Sequence, residues 1–322
     1  MKTSLIIGAG GQDGTLLAQY LAGRGDRVVC VDLHRTWLLS AGDWDTVDIL
    51  RPESVLALVQ KAQADECYYL AAYHHSAEDQ SLRPGDPELF ERSHAVNVRG
   101  LLYFLDAIAQ CSPQTRLFYA ASSHVFGTPA VEPQDENTPF NPGDIYAITK
   151  TAGIHYCRHF RNDLGMFAAA GILYNHESYL RTPQFLSQKI VRGVLAFQRD
   201  QSQKLVLGDV GAVVDWGFAG DYVEAMASIL AHPEPEDFVV ATGEARTVGE
   251  FLRVTCDIAG VDPRECVVTN PSLLRKKSVR LIGNSEKLRR LTGWRPKVSF
   301  HGMIEQMIEH ARKTFEGTAK NP

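Results

Sequence analysis

A tyrosine and a lysine four positions apart, in Tyr146-Ala147-Ile148-Thr149-Lys150, have the types and spacing that proton transfer to a nicotinamide-linked reaction needs. On a helix, positions i and i+4 share a face, so phenol and ammonium can serve one site. A nearby cation lowers a phenol pKa from its usual value of about 10 and makes a phenolate accessible. Such a group accepts the proton of a sugar hydroxyl while the carbon's hydride leaves for a nicotinamide ring. Alone, this spacing also suits a solvated helix face. Upstream, however, the run Phe118-Tyr119-Ala120-Ala121-Ser122-Ser123-His124 ends an apolar strand with a hydroxyl. At the carboxyl edge of an open α/β sheet, Ser122 can hydrogen-bond the same sugar oxygen.

A dinucleotide also needs a phosphate cradle, and Gly8-Ala9-Gly10-Gly11-Gln12-Asp13-Gly14 supplies one between an apolar strand and a helical pattern. Taken as GxxGxxG, it uses Gly8 for the tight turn, Gly11 for approach to pyrophosphate, and Gly14 for close helix–strand packing. The helix behind it offers free N–H groups and a partial positive charge. Asp32, ending the second strand, can accept from the adenosine ribose hydroxyls and repel a 2′-phosphate. NAD is the expected cofactor. Arg35 is a candidate partner for the extra phosphate of NADP, and Asp48 and Ile49 are expected beside the adenine.

The elements that must position these groups follow from periodicity. Strands are expected at Leu5–Ile7, Arg27–Val31, Glu66–Leu70, Arg116–Ala120 and Met166–Ile172. Helices are expected at Gly14–Arg24, Pro52–Ala62, Val98–Gln110 and Tyr146–Arg161. Nearly continuous apolar strands alternating with amphipathic segments predict an α/β, Rossmann-type doubly wound parallel sheet. The polar stretch His74–Ser93 reads as a long loop. Later patterns predict helices at Phe185–Phe197, Ala219–Ala231, Val248–Ala259 and around His301–Phe315, with a strand at Asp237–Val240. Residues 1–173, with 213–242 returning, are expected to form the dinucleotide domain; 174–212 and 243–322 are expected to form a smaller α/β substrate lobe.

Composition narrows the function classes. Hydrophobic residues make up 44% and charged residues 22%, the balance of a globular enzyme. A net charge of −5 argues against a nucleic-acid backbone as partner. No apolar run has the roughly 18 residues that span a bilayer. The start lacks a signal-type apolar core, so a cytoplasmic setting is expected. The six cysteines are scattered without zinc-like spacing, so neither a metal site nor a disulfide frame is expected.

With the glycine loop, Ser122 and YxxxK in this order, the chain resembles the extended short-chain dehydrogenase/reductase family. That resemblance implies a catalytic trio of Ser122, Tyr146 and Lys150, a supporting Asn97, and a cofactor-lining segment at Leu70, Ala71 and Ala72. The second half carries Asn175-His176-Glu177-Ser178, Asp215-Trp216-Gly217, Asp221-Tyr222-Val223 and Gly293-Trp294-Arg295-Pro296-Lys297-Val298. These motifs look like those of GDP-mannose 4,6-dehydratases. The likeness implies a nucleotide-sugar substrate, GDP-linked, and a homo-oligomer, dimer or tetramer. Asn175 would contact the sugar-nucleotide phosphates, and Lys189 and Arg280 would belong to the nucleotide pocket.

The pattern also departs from that group. His124 stands where a Thr-x-Glu motif puts its glutamate. Tyr179-Leu180-Arg181 replaces an arginine pair, Val213-Val214-Asp215 lacks the arginine expected before Asp-Trp-Gly, and Leu33-His34-Arg35 replaces another arginine pair. Dehydration removes hydride from C4, takes the C5 proton, expels the C6 hydroxyl and returns hydride to C6. An imidazole, with a pKa of about 6.5, can act as acid and base near neutrality. His124 is therefore either the C5 base or a wall in an enzyme that only oxidises and reduces C4, an epimerase or keto-reductase. Ser123 is expected to face the sugar, as are His74 and His75, for which a solvated loop position is the alternative. A catalytically silent binding protein is opposed by the intact trio.

Overall fold

The computed structural model describes residues 1–33, 42–74, 86–270 and 279–318, with 315–318 as backbone. The chain begins β1 (Thr3–Ile7), α1 (Gln12–Gly23), β2 (Arg27–Val31), β3 (Asp43–Asp45), α2 (Pro52–Ala62) and β4 (Glu66–Tyr69). Next come α3 (Pro87–His94), a π-helical turn at Ala95–Gly100, α4 (Leu101–Cys111), β5 (Arg116–Ser122) and a 3-10 turn at Ser123–Phe126. Then follow α5 (Ile145–Leu164), β6 (Ala168–Leu173), β7 (Asn175–Glu177), α6 (Leu186–Arg199), β8 (Leu205–Leu207) and β9 (Val213–Phe218). The remainder is α7 (Ala219–Ala231), β10 (Asp237–Val240), β11 (Ala245–Thr247) and α8 (Val248–Ala259). It ends with α9 (Pro263–Cys266), β12 (Val267–Thr269), α10 (Glu286–Thr292) and α11 (Phe300–Thr318).

Seven strands form an all-parallel sheet in the order β3-β2-β1-β4-β5-β6-β10. This is the doubly wound Rossmann arrangement, and its order reverses between β1 and β4, where such sheets bind ligands at their carboxyl edge. Successive strand residues point to opposite faces. Leu5 and Ile7 thus pack with Val55 and Leu58 of α2, Phe104 and Ile108 of α4, and Ile154 of α5. Ile6 faces the other way, with Leu17 and Leu21 of α1 and Tyr222 and Met226 of α7. Burial on both faces is why these strands are almost wholly apolar.

A second core lies beyond the sheet, where Ile190, Val194, Trp216, Phe251, Met303 and Ile304 bring α6, α8, α11 and β9 together. Small sheets β11-β9-β7 and β12-β8 complete this lobe. The chain returns to the large sheet through α7 and β10, whereas β9 stays with the small sheet. Leu288 and Trp294 also reach back, packing in the cluster that holds Leu17 and Tyr222.

Two carboxylates stitch these crossings. Asp221 accepts from the backbone N–H groups of Lys297 (2.8 Å) and Val298 (2.9 Å). Asp215 is 1% exposed and accepts from the N–H groups of Thr242, Gly243 and Gly283 and from the Thr242 hydroxyl. The Asp-Trp-Gly motif is therefore a hub joining β9 to the segments after β10 and before α10.

One expectation is corrected. His74–Ser93 is not a loop throughout, because its last part folds as α3. Asp86 caps that helix by accepting from Glu88 N–H, and Pro87 occupies the first turn. The helix is too polar to carry an apolar stripe, so only its Asp-Pro start signal was available. Similarly, the helix expected at Val98–Gln110 begins earlier, with the π turn.

Replacing Asp215 with alanine strips three backbone donors of their acceptor, at about 1–3 kcal/mol for each buried group left unpaired. Asp215→Ala should lower unfolding free energy by about 3 kcal/mol or more in denaturant titration. A loss below about 1 kcal/mol would remove Asp215 from its hub role.

Candidate active site

The glycine loop has the shape that a dinucleotide needs. Gly8 adopts φ +91°, and a Cβ there would lie 2.7 Å from Ala71 N, so β1 and the exit of β4 approach through it. A Cβ on Gly14 would lie 2.3 Å from Gly8 O, which forces glycine where α1 packs on the turn. A Cβ on Gly11 would meet nothing closer than Gly8 O at 3.5 Å. Gly11 also begins α1 without a side-chain cap, so the first N–H groups of the helix face an open mouth. A bare helix start behind a glycine turn fits a diphosphate.

Asp32 braces this loop, accepting from Gly10 N–H at 2.8 Å and Leu33 N–H at 2.7 Å. Leu70 N–H donates to Ile7 O, half-buried Ala71 faces Gly8, and Ala72 is exposed beyond it. Asp48 accepts from Leu50 N–H at 3.0 Å, and Ile49 packs against the core near Gly100. Arg35 lies outside the described residues.

Ser122, Tyr146 and Lys150 come together at the carboxyl end of β5. Ser122 closes the strand and starts the 3-10 turn by accepting from His124 N–H at 3.3 Å. Asp144 caps α5 through Ala147 N–H at 2.9 Å, which sets Tyr146 and Lys150 on the helix face toward β5. Lys150 is 2% exposed, and its Nζ donates to Ala120 O at 2.7 Å. Nζ also lies 5.0 Å from the Tyr119 ring centre and 5.7 Å from that of Tyr146.

The electrostatics differ from the expectation of a lysine-lowered phenol. Burial pushes Tyr146 up to about 12, and the groups that draw it down are the Arg181 guanidinium and a hydrogen bond with Ser122. Burial pushes Lys150 down to about 7, against an upward pull from Asp13. Arg181 therefore acts on the phenol in addition to the nearby Lys150; it sits 3.6 Å from the Phe185 ring centre and 3.3 Å from Glu177. Sequence reasoning treated Arg181 as the remnant of a lost arginine pair. Its position after Asn-His-Glu-Ser was the available signal.

The glycine loop is tied to β7. His176 Nδ1 lies 2.6 Å from Tyr174 O, a pure acceptor, so Nδ1 carries hydrogen. Its Nε2 lies 2.9 Å from Asp13 Oδ2. Asp13 holds the imidazole above its ordinary pKa despite burial, and the carboxyl itself is held below its usual range, chiefly by His176 against the upward pull of burial. Both shifts favour the ionic form of the pair. Beside it, Gln12 donates to His176 O at 3.1 Å and accepts from the Ser178 hydroxyl at 2.9 Å.

Two histidines flank the phenol. His124 stands edge-on to Tyr146 with ring centres 5.9 Å apart, and its Nδ1 is 3.9 Å from Asp144. His74, from the stretch read as a loop, stands edge-on to Tyr146 at 4.7 Å and stacks on Phe185 at 5.5 Å. Fully buried Asn97, in the π turn, fixes Tyr73: its Oδ1 accepts from Tyr73 N–H at 2.8 Å, while its Nδ2 donates to Tyr73 O and to Thr149 Oγ1. An extra residue in a helical turn often marks a functional site.

Of the other expected substrate residues, Ser123 is buried behind Ser122, Asn175 is exposed at the start of β7, and Lys189 is half-buried in α6. Arg280 is committed to Glu132, with Nε 2.8 Å from a carboxylate oxygen. His75 lies outside the described residues. Among the described residues no cluster of metal ligands occurs, and no helix is long and apolar enough to cross a membrane.

A family profile described as GDP-mannose 4,6 dehydratase matches residues 5–307. GDP-mannose 4,6 dehydratase 2 of Arabidopsis thaliana is 34% identical over 330 residues, covering 96% of this chain and 86% of that protein. In structure, the chain is similar to a Thermus thermophilus UDP-glucose 4-epimerase complex with NAD, at TM-score 0.81 and 24% identity, covering 96% of this chain and 99% of that one. A dTDP-glucose 4,6-dehydratase from Bacillus anthracis, in complex with NAD, superimposes at TM-score 0.83 with 17% identity, covering 98% of both chains.

The charge pair has a pH signature. His176 has a raised folded pKa, so its stabilisation is full below the unfolded value of about 6.5 and fades as pH rises through the folded value. Asp13 has a lowered folded pKa, so its share is present above about 3.9 and fades only on acidification. The gap in unfolding free energy between the native chain and His176→Gln should be wider at about pH 5.5 than at about pH 9. A gap that does not change with pH would mean the imidazole is buried neutral.

Proposed function

We propose that this chain, which belongs to the GDP-mannose 4,6 dehydratase family, is a nicotinamide-dependent nucleotide-sugar 4,6-dehydratase that acts on GDP-mannose. The observation that carries this reading is the meeting of Ser122, Tyr146 and Lys150 at the carboxyl end of β5, on the same sheet edge as the glycine loop. Asp32 beside the loop favours NAD, with NADP as the variant that Arg35 would serve. Gly8, Gly11, Gly14 and the bare start of α1 would hold the diphosphate, and the small lobe would hold the nucleotide-sugar.

When bound, the oxidised nicotinamide supplies a positive charge and the acceptor for the C4 hydride, and its reduced form is the donor for C6. Within the chain, Arg181 and the Ser122 hydrogen bond draw Tyr146 toward phenolate. Tyr146 then takes the O4 proton while Ser122 holds the oxygen in line. Lys150 fixes the geometry from behind through Ala120. Once C4 is a ketone, C5–H is acidified, and His124 is close enough to the phenol to serve the elimination. A C4 epimerase or keto-reductase is the second reading, favoured by a histidine at position 124, where the family pattern has glutamate.

Incubation with GDP-mannose in D2O separates the readings. Loss of one water with deuterium at C5 is expected. An isobaric product without deuterium would replace dehydration by C4 epimerisation, and consumption of added reduced nicotinamide would mark a reductase. Tyr146→Phe should lower turnover by about a hundredfold or more under either reading. A variant with native turnover would remove Tyr146 from proton transfer.

A further inference from the structure

Elimination across C5 and C6 needs two proton transfers of opposite sense, one from C5 and one to the departing C6 oxygen. Tyr146 is already occupied with O4, and the site offers two imidazoles around it. Their surroundings are unlike. The His74 ring is walled by Tyr146 and Phe185, although the residue keeps an exposed side. Its backbone neighbour, Tyr73, is pinned at both N–H and C=O by Asn97, which also bonds Thr149 one turn from Tyr146. His74 and the reactive phenol are thus held in register through one buried amide. His124 instead projects from the 3-10 turn, half-exposed, with the Asp144 carboxylate within ion-pair reach of Nδ1.

We propose that His74 and His124 divide the elimination between them, His74 taking the C5 proton and His124 protonating the departing C6 hydroxyl. This rests on the dehydratase reading above. Titratable pairs held in contrasting environments take the acid and base roles. Burial, followed by His124, Arg181 and Lys150, pushes His74 down to about 4 against a weaker upward pull from Asp144. It therefore enters the reaction neutral, with a nitrogen lone pair to accept a proton. A proton on His124 finds its counter-ion in Asp144 and its resupply in solvent. The weak basicity of His74 is offset where the enolate forms, because Arg181, the Tyr146 hydroxyl and Ser122 all favour negative charge on O4.

The steps balance. The C5–H bond breaks, its proton passing to His74 and its electron pair to O4 as an enolate. The ketone re-forms as the C5=C6 bond is made and the C6–O bond breaks, the hydroxyl leaving as water with a proton from His124. The hydride taken from C4 returns to C6, and His74, whose acquired proton exchanges with solvent at its exposed side, protonates C5. The proton that Tyr146 took from O4 restores His124 through solvent, and one water is lost overall.

The test is single turnover of GDP-mannose in D2O with the native chain, His74→Gln and His124→Gln, each checked for a native unfolding temperature. It reads the near-ultraviolet absorbance of reduced nicotinamide and deuterium at C5. His74→Gln should build up reduced nicotinamide to the native extent and hold it, with C5 exchange slowed about a hundredfold or more. His124→Gln should exchange C5 at the native rate yet lose water about a hundredfold more slowly. Native C5 exchange in His74→Gln, or loss of the absorbance change as well, overturns the assignment while leaving dehydration standing. A native chain that neither reduces its nicotinamide nor converts GDP-mannose overturns the dehydratase reading and this one with it.

Discussion

The crevice depends on one charge pair that joins distant parts of the chain. Asp13 belongs to the glycine loop and His176 to β7, and their contact at 2.9 Å ties the phosphate cradle to the entrance of the small lobe. The pair also sets charge where the chemistry occurs, since Asp13 acts upward on both Tyr146 and Lys150. An uncompensated carboxylate there would hold the phenol more firmly protonated. His176 pairs with that carboxylate, and Arg181 and the Ser122 hydrogen bond draw the phenol the other way. Gln12 adds two hydrogen bonds to the same joint, so the loop is rigid before any ligand arrives.

Much of this was legible in the sequence because the signals were local. Continuous apolar runs located five strands of the large sheet, since burial on both faces leaves no room for alternation. The glycine loop and YxxxK were readable because each depends on spacing within a single turn. The features that escaped reading depend on distance in the fold. Lys150 and Tyr146 do share a helix face, yet a second cation that acts on the phenol, Arg181, lies in a segment whose path spacing cannot predict. For His74 the sequence left a sugar-facing and a solvated position both open, because its walls, Tyr146 and Phe185, lie elsewhere in the chain. Polar α3 and the π turn carry no apolar period of their own, so tertiary contacts decide them.

The same reasoning bears on the substitutions that set this chain apart from the family pattern. A glutamate brings a negative charge to its position, whereas His124 is paired with a carboxylate already present, Asp144, which also caps α5. The acidic charge is thus retained near position 124 but moved onto the helix that carries Tyr146. Arg181 is the member of the arginine pair that remains, and it is the one whose charge reaches the phenol. The substitutions leave the signs of charge around Tyr146 intact while changing which side chains carry protons.

Lys150 shows why these residues had to be assembled from two elements. An ammonium buried to 2% exposure is costly, and its pKa near 7 measures how strongly its surroundings resist the charge. Its Nζ donates to Ala120 O, two residues before Ser122, and its own helix carries Tyr146 one turn earlier. The lysine therefore fixes the distance between the serine at the end of β5 and the phenol at the start of α5, which no sequence-local interaction could do. A neutral side chain of similar length would fill the same volume without an N–H to hold the carbonyl. The ammonium supplies the site with a fixed distance and with a cation 5.7 Å from the Tyr146 ring centre, and both need it buried.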